Sequence, residues 1–289
     1  MREGHLRLAV LADIHGNLPA LEATLADADH RGFDRLVVAG DYTGGVWSDG
    51  VTDLLRTRDA IMIRGNNEDY LLDFAYGTVQ EEWQHRAQWA SVRCSCDLTD
   101  RSTIDFAAGL PEQRVIDLDG RSPIRLVHGS PQAISDGIYP DRDPDKLDEI
   151  LLRVEESVLI CGHTHRPWVE EHHNTLAFNP GSAGLSCNGD PRSHYALLCW
   201  EENRWQVEHC AVPYDTDLVR AAYVDTGLLE KGGGFSRASL LCAETGQPVA
   251  LGLVLHARAI AEKAGLKNCR ILPDDLWEEA VSTFAWDSY

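Results

Sequence analysis

The chain has 289 residues, is 44% hydrophobic and 25% charged, and carries a formal net charge of −20. That length and composition belong to an ordinary globular protein of one large domain or two small ones. A surface this acidic repels bare polyanions, which argues against a nucleic-acid-binding module while leaving room for a small phosphate ester drawn in by bound cations.

No apolar run approaches the roughly 20 residues that span a bilayer, so no membrane partner is expected. The opening run Leu6 to Ala12 is too short for a secretory leader. The eight cysteines are scattered rather than framed for disulfides, and Cys94-Ser95-Cys96 has no matching second pair. The expectation is a cytoplasmic protein.

Arg7 to Ala12 is a continuous apolar run, as in a strand buried on both faces, and it ends in Asp13-Ile14-His15-Gly16-Asn17. Asn17 suits a helix N-cap, and Leu18, Leu21, Leu25 and Ala28 follow at helical spacing to about Arg31. A second strand, Arg35 to Ala39, ends in Gly40-Asp41. A glycine-bearing loop then leads into a helix near Val51 to Arg58, and a third strand, Ala60 to Ile63, ends in Arg64-Gly65-Asn66-Asn67-Glu68. This alternation predicts a parallel sheet with right-handed crossovers.

Residues 69–110 read as mostly helical. Gln113 to Leu118 and Pro123 to Val127 flank Asp119-Gly120, a hairpin signal, and the second arm ends in His128-Gly129-Ser130. Gln132 to Asp145 reads as a surface loop and Lys146 to Glu156 as a helix. Ser157 to Cys161 is a strand ending in Gly162-His163-Thr164-His165. Trp168-Val169, Thr175 to Phe178, Tyr195 to Trp200 and Arg204 to Val212 read as short antiparallel strands. A helix from Thr216 to Leu229, a flexible break at Gly232-Gly233-Gly234, and helices from Pro248 to Ala264 and Asp274 to Phe284 complete the chain.

Five apolar strands thus end in potential ligands: Asp13 with His15, Asp41, Asn66, His128, and His163 with His165. In open α/β sheets, ligands bind at the carboxyl ends of strands. Two carboxylates, four imidazoles and one amide oxygen form a mixed nitrogen and oxygen set without thiolate. Such a set suits Mn²⁺, Fe, Zn²⁺, Ni²⁺ or Co²⁺ better than a structural zinc site. Seven ligands are too many for one ion and about right for two that share a carboxylate.

The ordered set Asp13-Ile14-His15, Gly40-Asp41, Gly65-Asn66-Asn67-Glu68, His128-Gly129 and Gly162-His163-Thr164-His165 resembles that of the calcineurin-like metallophosphoesterases, most closely their small bacterial and archaeal predicted phosphodiesterase branch. Asn179-Pro180-Gly181-Ser182 and Val212-Pro213-Tyr214-Asp215 fit the same branch, so the motifs span roughly residues 6–215. The resemblance implies an α/β fold, a two-sheet α/β/β/α sandwich. Its domain would cover residues 1–229 with a helical insertion at about 69–110. Residues 230–289 lie outside it as a helical C-terminal extension.

By the family's pattern, Asp13, His15, Asp41 and His165 would hold a first metal, and Asp41, Asn66, His128 and His163 a second, with Asp41 bridging. The implied activity is hydrolysis of a small phosphorylated substrate, a phosphodiester above all, by a hydroxide bridging two divalent transition-metal ions, manganese first among them. The alternatives are a phosphomonoesterase, protein phosphatase or dinucleoside-polyphosphate hydrolase of the same superfamily, and a catalytically silent metal-binding scaffold. The oligomeric state, homodimer included, stays open.

Asp41 and Asn67 are the catalytic candidates. Many relatives carry His where this chain has Asn67, and an amide donates a hydrogen bond but cannot act as a general acid. That departure favours esters with good leaving groups. Arg64 and Asn67 are the substrate-binding candidates, with a structural salt bridge the equal alternative for Arg64. His85 is a candidate replacement donor, Tyr42 and Trp47 are candidate stacking surfaces against ordinary loop packing, and Glu68 is read as a cap on the following helix.

Overall fold

Residues 5–118, 120–267, 269 and 271–289 are described by a computed structural model. The chain runs β1 (Leu6–Leu11), α1 (Leu18–Arg31), β2 (Arg35–Val38), α2 (Ser48–Thr57), β3 (Ile61–Met62), α3 (Asn66–Tyr76), α4 (Glu81–His85), α5 (Ala90–Asp97), α6 (Arg101–Ala108), β4 (Gln113–Ile116), β5 (Ile124–Val127), α7 (Pro144–Leu151) and β6 (Val158–Ile160). It continues through β7 (Trp168–His172), β8 (Thr175–Asn179), β9 (Ser193–Glu201), β10 (Arg204–Val212), α8 (Thr216–Asp225), α9 (Leu228–Lys231), α10 (Gly233–Thr245), α11 (Val249–Lys263) and α12 (Asp274–Thr283).

The strands form two five-stranded sheets, ordered β10-β9-β1-β2-β3 and β4-β5-β6-β8-β7. In the first, β1, β2 and β3 are parallel and β9 runs antiparallel beside β1. In the second, β5, β6 and β8 are parallel, with β4 and β7 antiparallel at the edges. This is the two-sheet sandwich that the resemblance implied, and helices cover its outer faces.

The apolar strands read as continuous because both of their faces are buried. On β1, Leu8, Val10 and Ala12 point between the sheets to meet Ile124, Leu126, Val158 and Ile160. The intervening Ala9 and Leu11 point outward onto Leu21, Leu25 and Leu55 of the helices. The period of two along each strand thus divides one apolar run between two cores. Asn17 caps α1 as expected, its side chain accepting from the Ala20 amide at 3.2 Å.

Two expectations need correction, and a third falls partly outside the described residues. The hairpin signal falls partly on Asp119, which lies outside the described residues, although β4 and β5 do pair antiparallel. The helix read from Thr216 to Leu229 divides into α8 and α9 at Gly227, whose φ of 74° the α-helix does not allow. Gly232-Gly233-Gly234 does separate two helices, but the break is short, with α9 ending at Lys231 and α10 beginning at Gly233. Gly234 faces Val281, and a Cβ there would meet the valine Cγ2 at 2.5 Å, so the glycine serves close packing of α10 on α12.

Helices α10 to α12 share an apolar core of Ala238, Cys242, Leu253, Trp277 and Phe284, against which Leu185, Cys187 and Ala87 also pack. The extension therefore touches both the helical insertion and the loop after β8.

Candidate metal centre

The site is set first by main chain. Asp13, His15, Asp41, His163 and His165 all have left-handed φ values, 55°, 50°, 51°, 66° and 56°. Non-glycine residues take this region at a cost of about 1–3 kcal/mol each and keep it only where the surroundings over-determine it. Here the turns are stitched to one another: Asp13 N–H donates to Gly40 O at 3.1 Å, His15 N–H to Asp41 O at 2.9 Å, and Gly162 N–H to His128 O at 2.7 Å. Gly65 lets its turn close onto Asp41, since any Cβ there would collide with the Asp41 backbone and carboxylate.

The seven residues marked in the sequence converge. Asp13, His15 and His165 offer atoms within 4.8 Å of one another, as do Asp41, His128 and His163. In the first group, His15 Nε2 and His165 Nε2 are 3.1 Å apart and His165 Nε2 is 3.5 Å from Asp13 Oδ1. In the second, His128 Nε2 lies 3.3 Å from Asp41 Oδ1 and 3.2 Å from Asn66 Oδ1. His15 Nε2 stands 3.8 Å from Asp41 Oδ2, so the groups meet at Asp41.

Backbone carbonyls fix two imidazoles. A carbonyl only accepts, so His128 Nδ1–H donates to Ala39 O at 2.8 Å and His165 Nδ1–H to Leu185 O at 2.5 Å. The outer nitrogen of each ring then turns toward its group. At His128 a ring nitrogen, a carboxylate oxygen and an amide oxygen face one another, an arrangement that calls for a proton or a cation among them. The donor chemistry fits a metal.

The charges point the same way. Burial opposes ionisation of Asp41, yet His128, His15 and the Asn67 amide hold its carboxyl far below the ordinary carboxylate range. Burial likewise disfavours a charged His128, but Asp41 carries it up to about 10. Burial pushes Asp13 up to about 6 against the pull of His165. Burial and the neighbouring imidazoles press His15 down to about 3 and His163 down to about 4.

The remaining candidates fall elsewhere. Asn67 lies beside the site, its amide turned to Asp41: Nδ2–H donates to Oδ2 at 2.6 Å and the backbone N–H to Oδ1 at 2.8 Å. Arg64 is taken up by Asp69 at 2.7 Å, Leu110 O at 2.7 Å and Glu112 at 2.6 Å, the structural salt bridge of the two readings. Tyr42 is fully buried in the helix-side core, and Trp47 packs half-buried near Val219 and Tyr223, so neither offers a free stacking face. His85 is exposed beside a cavity of about 410 Å³ lined by Phe74, Arg93 and Lys231 and by none of the seven.

Glu68 does cap α3 through the Gly65 N–H at 2.6 Å, but it does more. It also accepts from the amides of Asp41 and Thr43, each at 2.8 Å, and from the Thr43 hydroxyl at 2.7 Å. The loop carrying Asp41 hangs on this buried carboxylate. Two residues of the Asn179-Pro180-Gly181-Ser182 stretch, to which sequence reasoning gave no role, serve similarly. Asn179 Nδ2–H donates to Gly162 O at 2.6 Å, and Ser182 Oγ–H donates to Asp13 O at 2.7 Å.

Comparison with known proteins identifies the family. Residues 6–203 match the model of the calcineurin-like phosphoesterase superfamily domain. The chain is 25% identical over 235 residues to an uncharacterized protein of Methanocaldococcus jannaschii, covering 75% of this chain and 90% of that one. It is 27% identical over 195 residues to the phosphodiesterase YfcE of Escherichia coli, covering 67% and 87%. The fold superposes on a metallophosphoesterase from Sphaerobacter thermophilus with a TM-score of 0.67 at 24% identity, covering 84% of this chain and 99% of that one.

Proposed function

Because the chain belongs to the calcineurin-like phosphoesterase superfamily and is a metal-dependent phosphoesterase, we propose that it is a phosphodiesterase working with two divalent cations. The observation that carries this reading is the pair of compact ligand groups meeting at Asp41. Asp13, His15 and His165 would hold one ion, Asn66, His128 and His163 the other, with Asp41 shared. The mixed nitrogen and oxygen set favours manganese, with iron, zinc, nickel and cobalt next. Bound there, the ions supply an activated water near neutral pH and offset charge on the phosphate oxygens.

The chain's own residues do the rest. Asn67 and Glu68 fix the shared carboxylate and the loop that carries it. Ala39 O and Leu185 O keep His128 and His165 in the tautomer that presents Nε2. Asn67 has no proton to give a departing alkoxide, which favours diesters and activated esters over alkyl monoesters.

Among the described residues no helix is long and apolar enough to cross a membrane. All eight cysteines are free, which fits a reducing compartment and a cytoplasmic enzyme acting on a small phosphorylated substrate.

The test is metal content by mass spectrometry together with turnover of bis(p-nitrophenyl) phosphate in added Mn²⁺. Turnover lost in Asp41→Asn supports the reading. Folded protein that binds no metal and turns nothing over ends it.

A further inference from the structure

With Arg64 engaged elsewhere, the site lacks the cation assigned to the substrate. The structure offers another. Arg166 directly follows His165, and among the described residues its guanidinium makes one loose ion pair, with Asp141 at 3.6 Å, the side chains being 38% and 67% exposed. A surface pair of this kind is worth about 0–1 kcal/mol, so a phosphate can displace the carboxylate. Arg64, with three partners at 2.6–2.7 Å, has nothing comparable to release.

Asp141 belongs to the loop between β5 and α7, which crosses the turn that bears His163 and His165. The loop is pinned: Lys146 Nζ donates to Asp136 at 2.6 Å and to Gly137 O at 3.1 Å, and Ile138 is fully buried. Gly137 marks where it meets the site. A Cβ there would meet Tyr139 Cε2 at 2.9 Å, Thr164 Cγ2 at 3.0 Å and His163 Cδ2 at 3.3 Å, so the loop packs against the ligand turn too closely for any side chain at 137, with the tyrosine ring and the His163 imidazole on either side.

Arg142 stacks its guanidinium 5.1 Å from the Tyr139 ring centre. Burial raises the Tyr139 hydroxyl above its ordinary value, Arg142 and Arg166 pull against that, and Asp13 adds to it.

We propose that Arg166, together with Tyr139 on the loop that meets the same turn, forms the phosphate-gripping wall of the site. The ligand class is a phosphate oxygen not shared with the leaving group, taken by the guanidinium in exchange for Asp141. Arg166 on the ligand turn and Arg142 over the Tyr139 ring would give a chain of net charge −20 a local anion seat. The proposal deepens the phosphodiesterase reading and rests on it for the position of the phosphate.

The experiment is calorimetric titration of the manganese-loaded full-length protein with inorganic phosphate, alongside kcat and KM for bis(p-nitrophenyl) phosphate. Arg166→Gln should weaken phosphate binding about 10- to 100-fold and raise KM more than it lowers kcat, while metal content stays at the wild-type value. Arg166→Lys should recover part of the loss, and Tyr139→Phe should weaken phosphate by about fivefold. Phosphate binding within about twofold of wild type in Arg166→Gln overturns the proposal, as does a wild-type protein that binds metal but no phosphate. Wild-type protein that binds phosphate through Arg166 yet turns nothing over would refute the phosphodiesterase reading and leave this inference standing.

Discussion

Replacing Gly65 by alanine separates two things a glycine can do. Its φ of −108° and ψ of −172° are extended backbone that alanine adopts freely, so the substitution adds no conformational strain. The space is another matter. The new Cβ would lie 2.6 Å from Asp41 N and 2.9 Å from Asp41 Cγ, and closer still to Oδ1, where real contacts essentially never fall below 3.0 Å.

Asp41 must therefore retreat by about 0.4 Å or more, and it is the carboxylate on which both ligand groups converge. Overpacking of this kind costs about 1–3 kcal/mol of stability. A displacement of up to about 1 Å at a reacting centre costs up to about 100-fold in rate. Gly65→Ala should accordingly lower turnover of bis(p-nitrophenyl) phosphate by about 10- to 100-fold and weaken Mn²⁺ binding, with a modest fall in the urea midpoint.

Gly77→Ala is the control. That glycine has φ +67° and nothing within 4 Å of a Cβ, so only the left-handed backbone is penalised, by about 1 kcal/mol, and activity should hold. Wild-type turnover and metal affinity in Gly65→Ala would refute the claim that Asp41 is held by close approach of the Gly65 turn.

The pH dependence of metal binding follows from His128. Its imidazole is raised to about 10 beside Asp41, so an entering cation must displace a proton. Apparent affinity should rise by up to about tenfold per pH unit between roughly pH 7 and 9, with about one proton released per ion, read by calorimetry in buffers of different ionisation enthalpy; a flat profile speaks against it. In metal-free protein the same pair adds stability that is fully present below the ordinary value of 6.5 and lost as pH rises through about 10, which urea unfolding across that window measures. Chelation should lower the urea midpoint, and Mn²⁺ at 100 times its Kd should restore about 2.7 kcal/mol per site. Asn67→His should speed hydrolysis of poor leaving groups relative to good ones, by up to about 10²–10⁴-fold; an unchanged ratio would mean that leaving-group protonation comes from elsewhere.

Much of this fold could be read from the chain because its central strands are buried on both faces. Arg7 to Ala12 and Ser157 to Cys161 have no polar alternation to mislead, and each ends abruptly in residues whose chemistry stands out. What stayed hidden depends on neighbours distant in sequence. Arg64 and Arg166 look alike on paper; only the folding of Asp69, Leu110 and Glu112 around one of them distinguishes the two. The carbonyls of Ala39 and Leu185, which hold two imidazoles, leave no mark in any residue type. The glycine run suggested a longer break because glycine disfavours helices in isolation, whereas Gly234 sits within α10 and its lack of a Cβ lets the helix approach Val281.

Five of the seven candidate ligands sit on left-handed backbone turns. A cage aimed by its main chain has little freedom to swell. Cations that accept nitrogen and oxygen at about 2.0–2.2 Å can be gripped by such a cage, whereas calcium, at about 2.3–2.6 Å and with its preference for more oxygens, would have to push the turns apart. A backbone held this way would favour cations small enough to fit without pushing the turns apart, before donor hardness came into play.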